Sequence, residues 1–345
     1  MSLTTKIIED REVWQDFLKK SEFDYFLQSW QWGEFQSLGL GKKIFRLGFY
    51  DQDLLVGVCL AITEKTRFGE FIYIPRGPIF DWKDLNLVGR IISSLASFFN
   101  NQNYFQLRIE PLILADNLKV LGKFANTGFV SAVKAIQVEL AWVLELQNFT
   151  EEELLRNMRK NTRYYIKKGQ KSGLKVDFST SDTSLNEFLS LLEKTSARKK
   201  FLVASKDYLR KEFEFLKNGI LQVATAKFEG KTVAAALIAF YGKEASYLYA
   251  ATAEDLLKLE PSYYLQWECI RYAKSLGLSQ YNFWGVVSEQ NYHKNHPGYG
   301  YSNFKRGFGG GLRTYLKPQD LVYKKIPYQL FRLQEWYRQK RDKVI

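Results

Sequence analysis

Ile44 to Ile62, IFRLGFYDQDLLVGVCLAI, reads as an apolar strand, a polar turn at Tyr50-Asp51-Gln52-Asp53, and a second apolar strand. Leu221 to Phe240, LQVATAKFEGKTVAAALIAF, reads the same way, with Phe228-Glu229-Gly230-Lys231 in the turn position. The two hairpins have similar sequels. A third strand follows, Phe71 to Ile74 in one half and Ser246 to Ala250 in the other. A helical segment comes next, Leu85 to Phe99 and Tyr263 to Leu276. A further strand closes each block, Tyr104 to Ile109 and Gln280 to Trp284. The repeat predicts two similar mixed α/β units. A chain of 345 residues also exceeds the roughly 250–300 at which a single core stops growing.

Between the repeats, Thr150 and Glu153 have the spacing of a capping box, and Glu151 and Glu152 suit the positive end of a helix dipole. They introduce a run, Arg156 to Lys171, with seven bases and no acid. One continuous helix at about 3.6 residues per turn puts Arg156, Lys160, Arg163, Lys167 and Lys171 on one face, and Leu154, Met158 and Tyr165 on the other. Ser172-Gly173 supplies the stop. Arg159, Tyr164 and Tyr165 are interleaved with the stripe. A docked basic face of this kind suits a polyanion: a phosphate-bearing substrate, an RNA or an anionic membrane surface. The alternative is a solvated charged face, but the missing acids weigh against it.

The net charge of +13 is spread along the chain. The last stretch, Arg332 to Lys343, adds Arg338, Lys340 and Arg341. Cys59 and Cys269 both sit in apolar runs and read as reduced core thiols, so no disulfide framework is expected and a cytoplasmic compartment fits. The first ten residues contain no signal-peptide apolar core, and no apolar stretch reaches the roughly 18 residues that would span a bilayer.

After Trp284 the character changes. Gly285 to Gly311 is rich in Gly, Tyr, Asn and His, with little periodicity, and reads as a long functional loop. His293-x-x-His296 has no nearby acid or thiol to complete a metal site, so no metal is expected. Arg306-Gly-Phe-Gly-Gly-Gly311 fits the R-x-x-G-x-G pattern of acyl-CoA-binding acetyltransferases, but Leu312 to Leu316 reads as a strand where a pyrophosphate-binding helix would have to open. No Ser or Cys sits in a nucleophile elbow. Chemistry here would rest on positioning and electrostatics, with Lys305, beside Phe304 and a Gly-rich turn, as the candidate for stabilising an oxyanion. The last expected element is a helix from Tyr328 to Lys340, expected to return to the first unit.

Several segments together resemble the FemABX family of peptidoglycan aminoacyltransferases. They are Gln28-Ser-Trp-Gln-Trp-Gly33, Arg76-Gly-Pro78, Leu107-Arg-Ile-Glu-Pro111, Arg159 to Lys168 with Ser172-Gly173, Tyr281-Asn-Phe-Trp-Gly285, and Phe304-Lys-Arg-Gly-Phe-Gly-Gly310. The resemblance implies an α/β (α+β) fold of two tandem GNAT (acyl-CoA N-acyltransferase)-like domains, mixed sheets flanked by helices. Residues 1–147 with 316–345 form the first, and 148–315 the second, inserted in it. It implies a reaction in which an amine on the peptide stem of a peptidoglycan precursor, lipid II or UDP-MurNAc-pentapeptide, attacks the ester of aminoacyl-tRNA. That reaction needs a co-substrate and no cofactor. The family's catalytic lysine falls on Lys305, with Phe304 beside it. The family's first phosphate-binding lysine falls on Gln36, with Lys42 and Lys43 further on. The second contact matches Tyr208 with Lys206 as the nearest base, and Tyr249 and Arg306 join the substrate-binding set. Arg156, Arg159, Lys160, Arg163 and Lys167 are the tRNA or anion-binding set, and the net positive charge is also compatible with peripheral contact at the inner face of an anionic membrane. The coiled-coil arm of some members has no counterpart, because Lys211 to Gly219 is too short. Rival readings are an acyl-CoA-dependent N-acyltransferase and a non-enzymatic module that binds RNA or a membrane surface.

Overall fold

Both hairpins form, each in a sheet of its own and one strand in from the sheet edge, in the computed structural model, which describes residues 3–199, 203–254 and 259–344. The side chains of 199 and 341–344 lie outside the description, so Arg341 and Lys343 of the basic tail, like Met1 and Ser2, fall outside the described residues. Two units separate: Met1–Glu139 with Thr314–Ile345, and Leu140–Arg313.

In chain order the first unit contributes β1 (Thr4–Ile7), α1 (Arg11–Lys20), α2 (Trp30–Glu34), β2 (Ile44–Asp51), β3 (Leu54–Thr66), β4 (Gly69–Pro75), β5 (Ile79–Phe80), α3 (Leu85–Asn100), β6 (Gln106–Glu110), α4 (Leu118–Asn126) and β7 (Val130–Ser131). The second contributes β8 (Leu140–Glu145), α5 (Glu151–Asn157), α6 (Lys160–Lys171), β9 (Lys175–Ser179), α7 (Asp182–Lys199) and α8 (Lys206–Leu216). It continues with β10 (Leu221–Phe228), β11 (Lys231–Tyr241), β12 (Glu244–Thr252), α9 (Pro261–Ser275), β13 (Gln280–Gly285), α10 (Tyr299–Arg306) and β14 (Gly311–Thr314). The chain then adds β15 (Gln319–Val322) and α11 (Lys325–Val344) to the first unit.

Among the described residues, the first sheet runs β1-β2-β3-β4-β6-β15-β7 with β5 on β3, and the second runs β14-β8-β13-β12-β11-β10-β9. The hairpin pairs are antiparallel, whereas β4 with β6 and β12 with β13 are parallel, as a strand–helix–strand crossover requires. In the second hairpin, Glu229 and Gly230 both have positive φ (49° and 78°), the conformation a two-residue hairpin turn demands. The Val233–Phe240 run of β11 is buried on both faces, which explains why it is continuously apolar rather than alternating. In the first unit, Asp84 caps α3 by accepting from the Asn86 and Leu87 N–H groups, at 2.9 and 3.0 Å. Val88, Ile91, Ile92, Leu95 and Phe99 then pack into the core with Leu47, Ile72 and Leu107. Cys59 and Cys269 are buried free thiols.

Three expectations change. The helix expected through Arg156–Lys171 is broken: Met158 and Arg159 are extended, with ψ of 156° and 149°, and separate α5 from α6. The break lets Met158 enter the core and lets the Arg159 N–H donate to the Gly307 carbonyl at 2.9 Å. The second unit begins at Leu140, not residue 148, because β8 pairs with β13. The supposed loop after Trp284 contains α10, whose buried inner positions are the polar Ser302 and Arg306, so it has no apolar periodicity to read.

Candidate functional site

In the second unit, β12 and β13 are paired only from Glu244 to Ser246 against Gln280 to Asn282. Both strands continue beyond that point, β12 to Thr252 and β13 to Gly285, without further pairing to each other. Glu244 holds the junction: its carboxylate accepts from Ser246 Oγ (2.6 Å), Gln280 Nε2 (2.8 Å) and Asn282 Nδ2 (3.0 Å). The Asn282 side-chain oxygen accepts the Trp284 N–H at 2.8 Å, where Trp284 takes a φ of +66° and turns the strand end.

Lys305, on α10, meets that strand end. Its Nζ donates to the Gly285 carbonyl at 2.7 Å and lies 5.3 Å from the Tyr301 ring centroid. Burial pulls its pKa down to about 7, since no carboxylate offsets the lost hydration. The shift weakens its hold on the proton relative to an exposed lysine. Phe304, next to Lys305 on the helix, packs on Tyr263 (4.8 Å) and Phe308 (5.2 Å), and Tyr263 in turn on Tyr165 of α6 (4.9 Å). Phe304 thus positions Lys305 through an aromatic cluster.

Arg306 is occupied. It is 8% exposed, its Nη1 donates to Glu289 at 2.7 Å, and it lies between the rings of Trp142 (4.7 Å) and Tyr292 (4.0 Å). The Gly turn after it is packed down on β8. Trp142 Nε1 donates to the Gly309 carbonyl at 2.6 Å, and Gly309 and Gly310 both have positive φ (82° and 83°). A Cβ at Gly310 would strike the Val143 backbone. The turn serves packing, and β14 rather than a helix follows it.

The basic set divides likewise. Arg159 points to α10, donating to Asn303 Oδ1 at 2.7 Å and Tyr292 Oη at 3.3 Å. Arg163 folds back onto the Arg156 carbonyl (3.0 Å) and the Met158 carbonyl, closing the end of α5. Arg156 lies 3.8 Å from Glu153 and is exposed. Lys160 and Lys167 remain open, in line with Lys171 and with Tyr164, which is 60% exposed.

The expected substrate contacts are spread. Gln36 is buried in a π-helical turn, Phe35–Gly39, and Lys42 is paired with Glu64 at 2.7 Å, both in the first unit. In the second, Lys206 pairs with Glu193 at 2.6 Å, and Tyr208 lies on the same face of α8 as Glu212. Glu212 is 3% exposed, its Oε2 has no hydrogen-bond partner, and burial pushes its pKa up to about 8. Burial also raises the phenol pKa of Tyr249 on β12, and the nearby Glu212 carboxyl adds to the rise. Glu212 escaped the sequence reading, although an acid on the apolar face Leu209-Glu212-Phe213-Leu216 was a visible anomaly. Glu110 of the first unit is a second buried carboxyl. Burial raises its pKa, while it accepts from Tyr73 Oη (2.7 Å) and the Gln137 N–H (2.9 Å).

The sequence model of the FemAB family matches residues 9–126, 113–231 and 212–335, nearly the whole chain. The chain belongs to the FemAB family. Among curated FemAB-like proteins, it is 22% identical to a lipid II:glycine glycyltransferase of Staphylococcus saprophyticus, over 91% of this chain and 92% of that one. It is 21% identical to the UDP-N-acetylmuramoylpentapeptide-lysine N(6)-alanyltransferase of Weissella viridescens, over 81% and 84%. The solved structure of FemX superposes with a TM-score of 0.85 at 18% identity, covering 95% of this chain and all (100%) of that one. A tandem GNAT protein of the clavulanic acid pathway gives 0.55 at 11% identity, covering 93% and 99%. These likenesses support the tandem GNAT-like fold of this FemAB member.

Proposed function

We propose that this FemAB protein transfers an aminoacyl group from aminoacyl-tRNA to an amine on the peptide stem of a peptidoglycan precursor, building an interpeptide bridge on the cytoplasmic side. The observation that carries the reading is Lys305, desolvated and held on the Gly285 carbonyl beside the parting of β12 and β13. Attack of the neutral amine on the ester forms the C–N bond and an oxyanion. Collapse breaks the ester C–O bond, the ribose hydroxyl leaves with a proton, and the attacking nitrogen loses one. The ester is already activated, so the protein has to orient the partners and stabilise the oxyanion, and the Lys305 ammonium suits that role. Lys160, Tyr164 and Lys167 offer two cations around an exposed ring, a pattern suited to the phosphates and bases of the tRNA. The relatives' names span lipid-linked and UDP-linked acceptors, and both remain open to this chain.

The test is incubation with a pool of charged tRNAs and either UDP-linked or lipid-linked pentapeptide, read by mass spectrometry. One added residue on either acceptor supports the reading. No mass increase on either, or inhibition by CoA with transfer from acyl-CoA instead, overturns it. The closed Gly309–Gly310 turn weighs against the CoA outcome.

A further inference from the structure

Among the described residues, α11 presents two opposed faces. Tyr328, Phe331 and Glu335, at 4%, 9% and 8% exposure, face the first unit. There Phe331 packs on Phe71 and Phe105, and Glu335 pairs with Arg108 at 2.7 Å. The opposite side of the helix is apolar as well. Ile326, Leu330, Leu333 and Tyr337 follow one another at helical spacing and are 77%, 47%, 50% and 61% exposed, with Trp336 alongside at 40%. A soluble helix normally turns charge outward at these positions.

The charges that flank this stripe have one sign. Lys325, Arg332, Arg338 and Lys340 are exposed, and Lys340 Nζ lies 3.9 Å from the Trp336 ring centroid. Of the helix residues whose side chains are described, the one acid, Glu335, is turned inward on Arg108. An exposed aliphatic stripe with aromatic shoulders and basic margins is the composition of a helix lying in the plane of an anionic membrane interface. No described helix is long and apolar enough to cross a membrane. We propose that the outer face of α11 docks this protein on anionic lipid. The charges favour lipid over a second copy, because a two-fold contact through this face sets one basic margin, with Arg332, Arg338 and Lys340, against another of the same sign. The aliphatic side chains favour lipid over RNA, since Ile326, Leu330 and Leu333 have no ring on which a base would stack.

The inference does not rest on the acyl-transfer reading, and its test uses neither tRNA nor acceptor. The intact protein is sedimented with phosphatidylcholine vesicles and with vesicles containing phosphatidylglycerol. Binding is expected to the second and not the first, and to weaken as salt rises. Leu330→Asn with Leu333→Asn is expected to lower that binding about tenfold, and Arg332→Gln with Arg338→Gln and Lys340→Gln at least as much. Thermal melts should be unchanged in both, because all five side chains are exposed. No binding to anionic vesicles overturns the proposal, as does binding that neither variant weakens. Concentration-dependent self-association abolished by the leucine variant would also overturn it, by naming a second copy as the occupant.

Discussion

At the scale of single residues, the half-buried Lys305 and the buried Glu212 are two ionisable groups without a counter-charge, shifted in opposite directions. Lys305→Ala is expected to lower single-turnover aminoacyl transfer by roughly 10²–10³ with the fold retained. If the ammonium is the acting form, the ratio of native to variant rates shrinks as pH rises through about 7; a ratio that grows would make Lys305 a proton acceptor instead. Stability adds an independent reading. Between about 7 and the ordinary 10.5 the unfolded chain holds a Lys305 proton that the folded chain has released. Unfolding free energy therefore rises with pH across that window, and Lys305→Met should flatten the rise. Glu212 has the reverse sign. Between 4.5 and about 8 the folded chain holds the proton and the unfolded chain does not, so its contribution is full at low pH and is lost as pH climbs to about 8. Denaturant titrations at pH 5 and pH 8 should show a smaller pH difference for Glu212→Gln than for the native chain. An equal difference would mean that Glu212 is ionised in the fold.

At the scale of elements, the basic run shows what was legible and what was not. The capping box at Thr150 and Glu153 forms as the sequence suggests, with Glu153 accepting the Thr150 N–H at 2.8 Å, and Gly173 ends α6 with a φ of 81°. Both are local signals. The break at Met158–Arg159 is not local: its partner is the Gly307 carbonyl, and a Cβ at Gly307 would come within 2.5 Å of Thr162 Oγ1. No reading of residues 156–171 contains that interaction. The same distinction explains the motif Gln28-Ser-Trp, whose Gln28 bonds the Leu60 N–H (2.8 Å) and the Pro75 carbonyl (2.7 Å) across β3 and β4, a task of the fold and not of chemistry. The bases separate on this ground. Arg163→Ala should cost about 1–2 kcal/mol through the uncapped end of α5, measured by chemical denaturation. Lys160→Gln with Lys167→Gln should leave stability unchanged, weaken tRNA binding, and reduce the magnitude of its log–log salt slope by about 0.7 for each phosphate no longer neutralised. An unaltered slope would remove α6 from the tRNA-binding surface.

At the scale of the molecule, the internal repeat was legible because each hairpin, strand, helix and strand lies in one stretch. Its closing strands were not, because each sheet takes one from outside its own block. β6 is flanked by β15, which follows the second unit in the chain, and β13 is flanked by β8, which precedes the second repeat; both pairings are antiparallel. Read in sequence order, Leu140–Glu145 looks like the last strand of the first unit, which is why the sequence points to a boundary at 148. The return of the C-terminal segment is fixed by a buried ion network. Arg108 of β6 is fully buried and donates to Asp320 of β15 at 2.7 and 2.8 Å, and to Glu335 of α11 at 2.7 and 2.9 Å. Burial alone would lower the Arg108 pKa, but its hydrogen bonds to Asp320 and Glu335 outweigh it and hold the guanidinium charged. Removing one member leaves the others buried without compensation, so Arg108→Met should destabilise the first unit by about 3–5 kcal/mol. Asp320→Asn with Glu335→Gln in the Arg108→Met background should recover part of that loss, since the stranded charges go with the arginine. If the triple variant is no more stable than Arg108→Met alone, the network holds the C-terminal segment by shape rather than by charge.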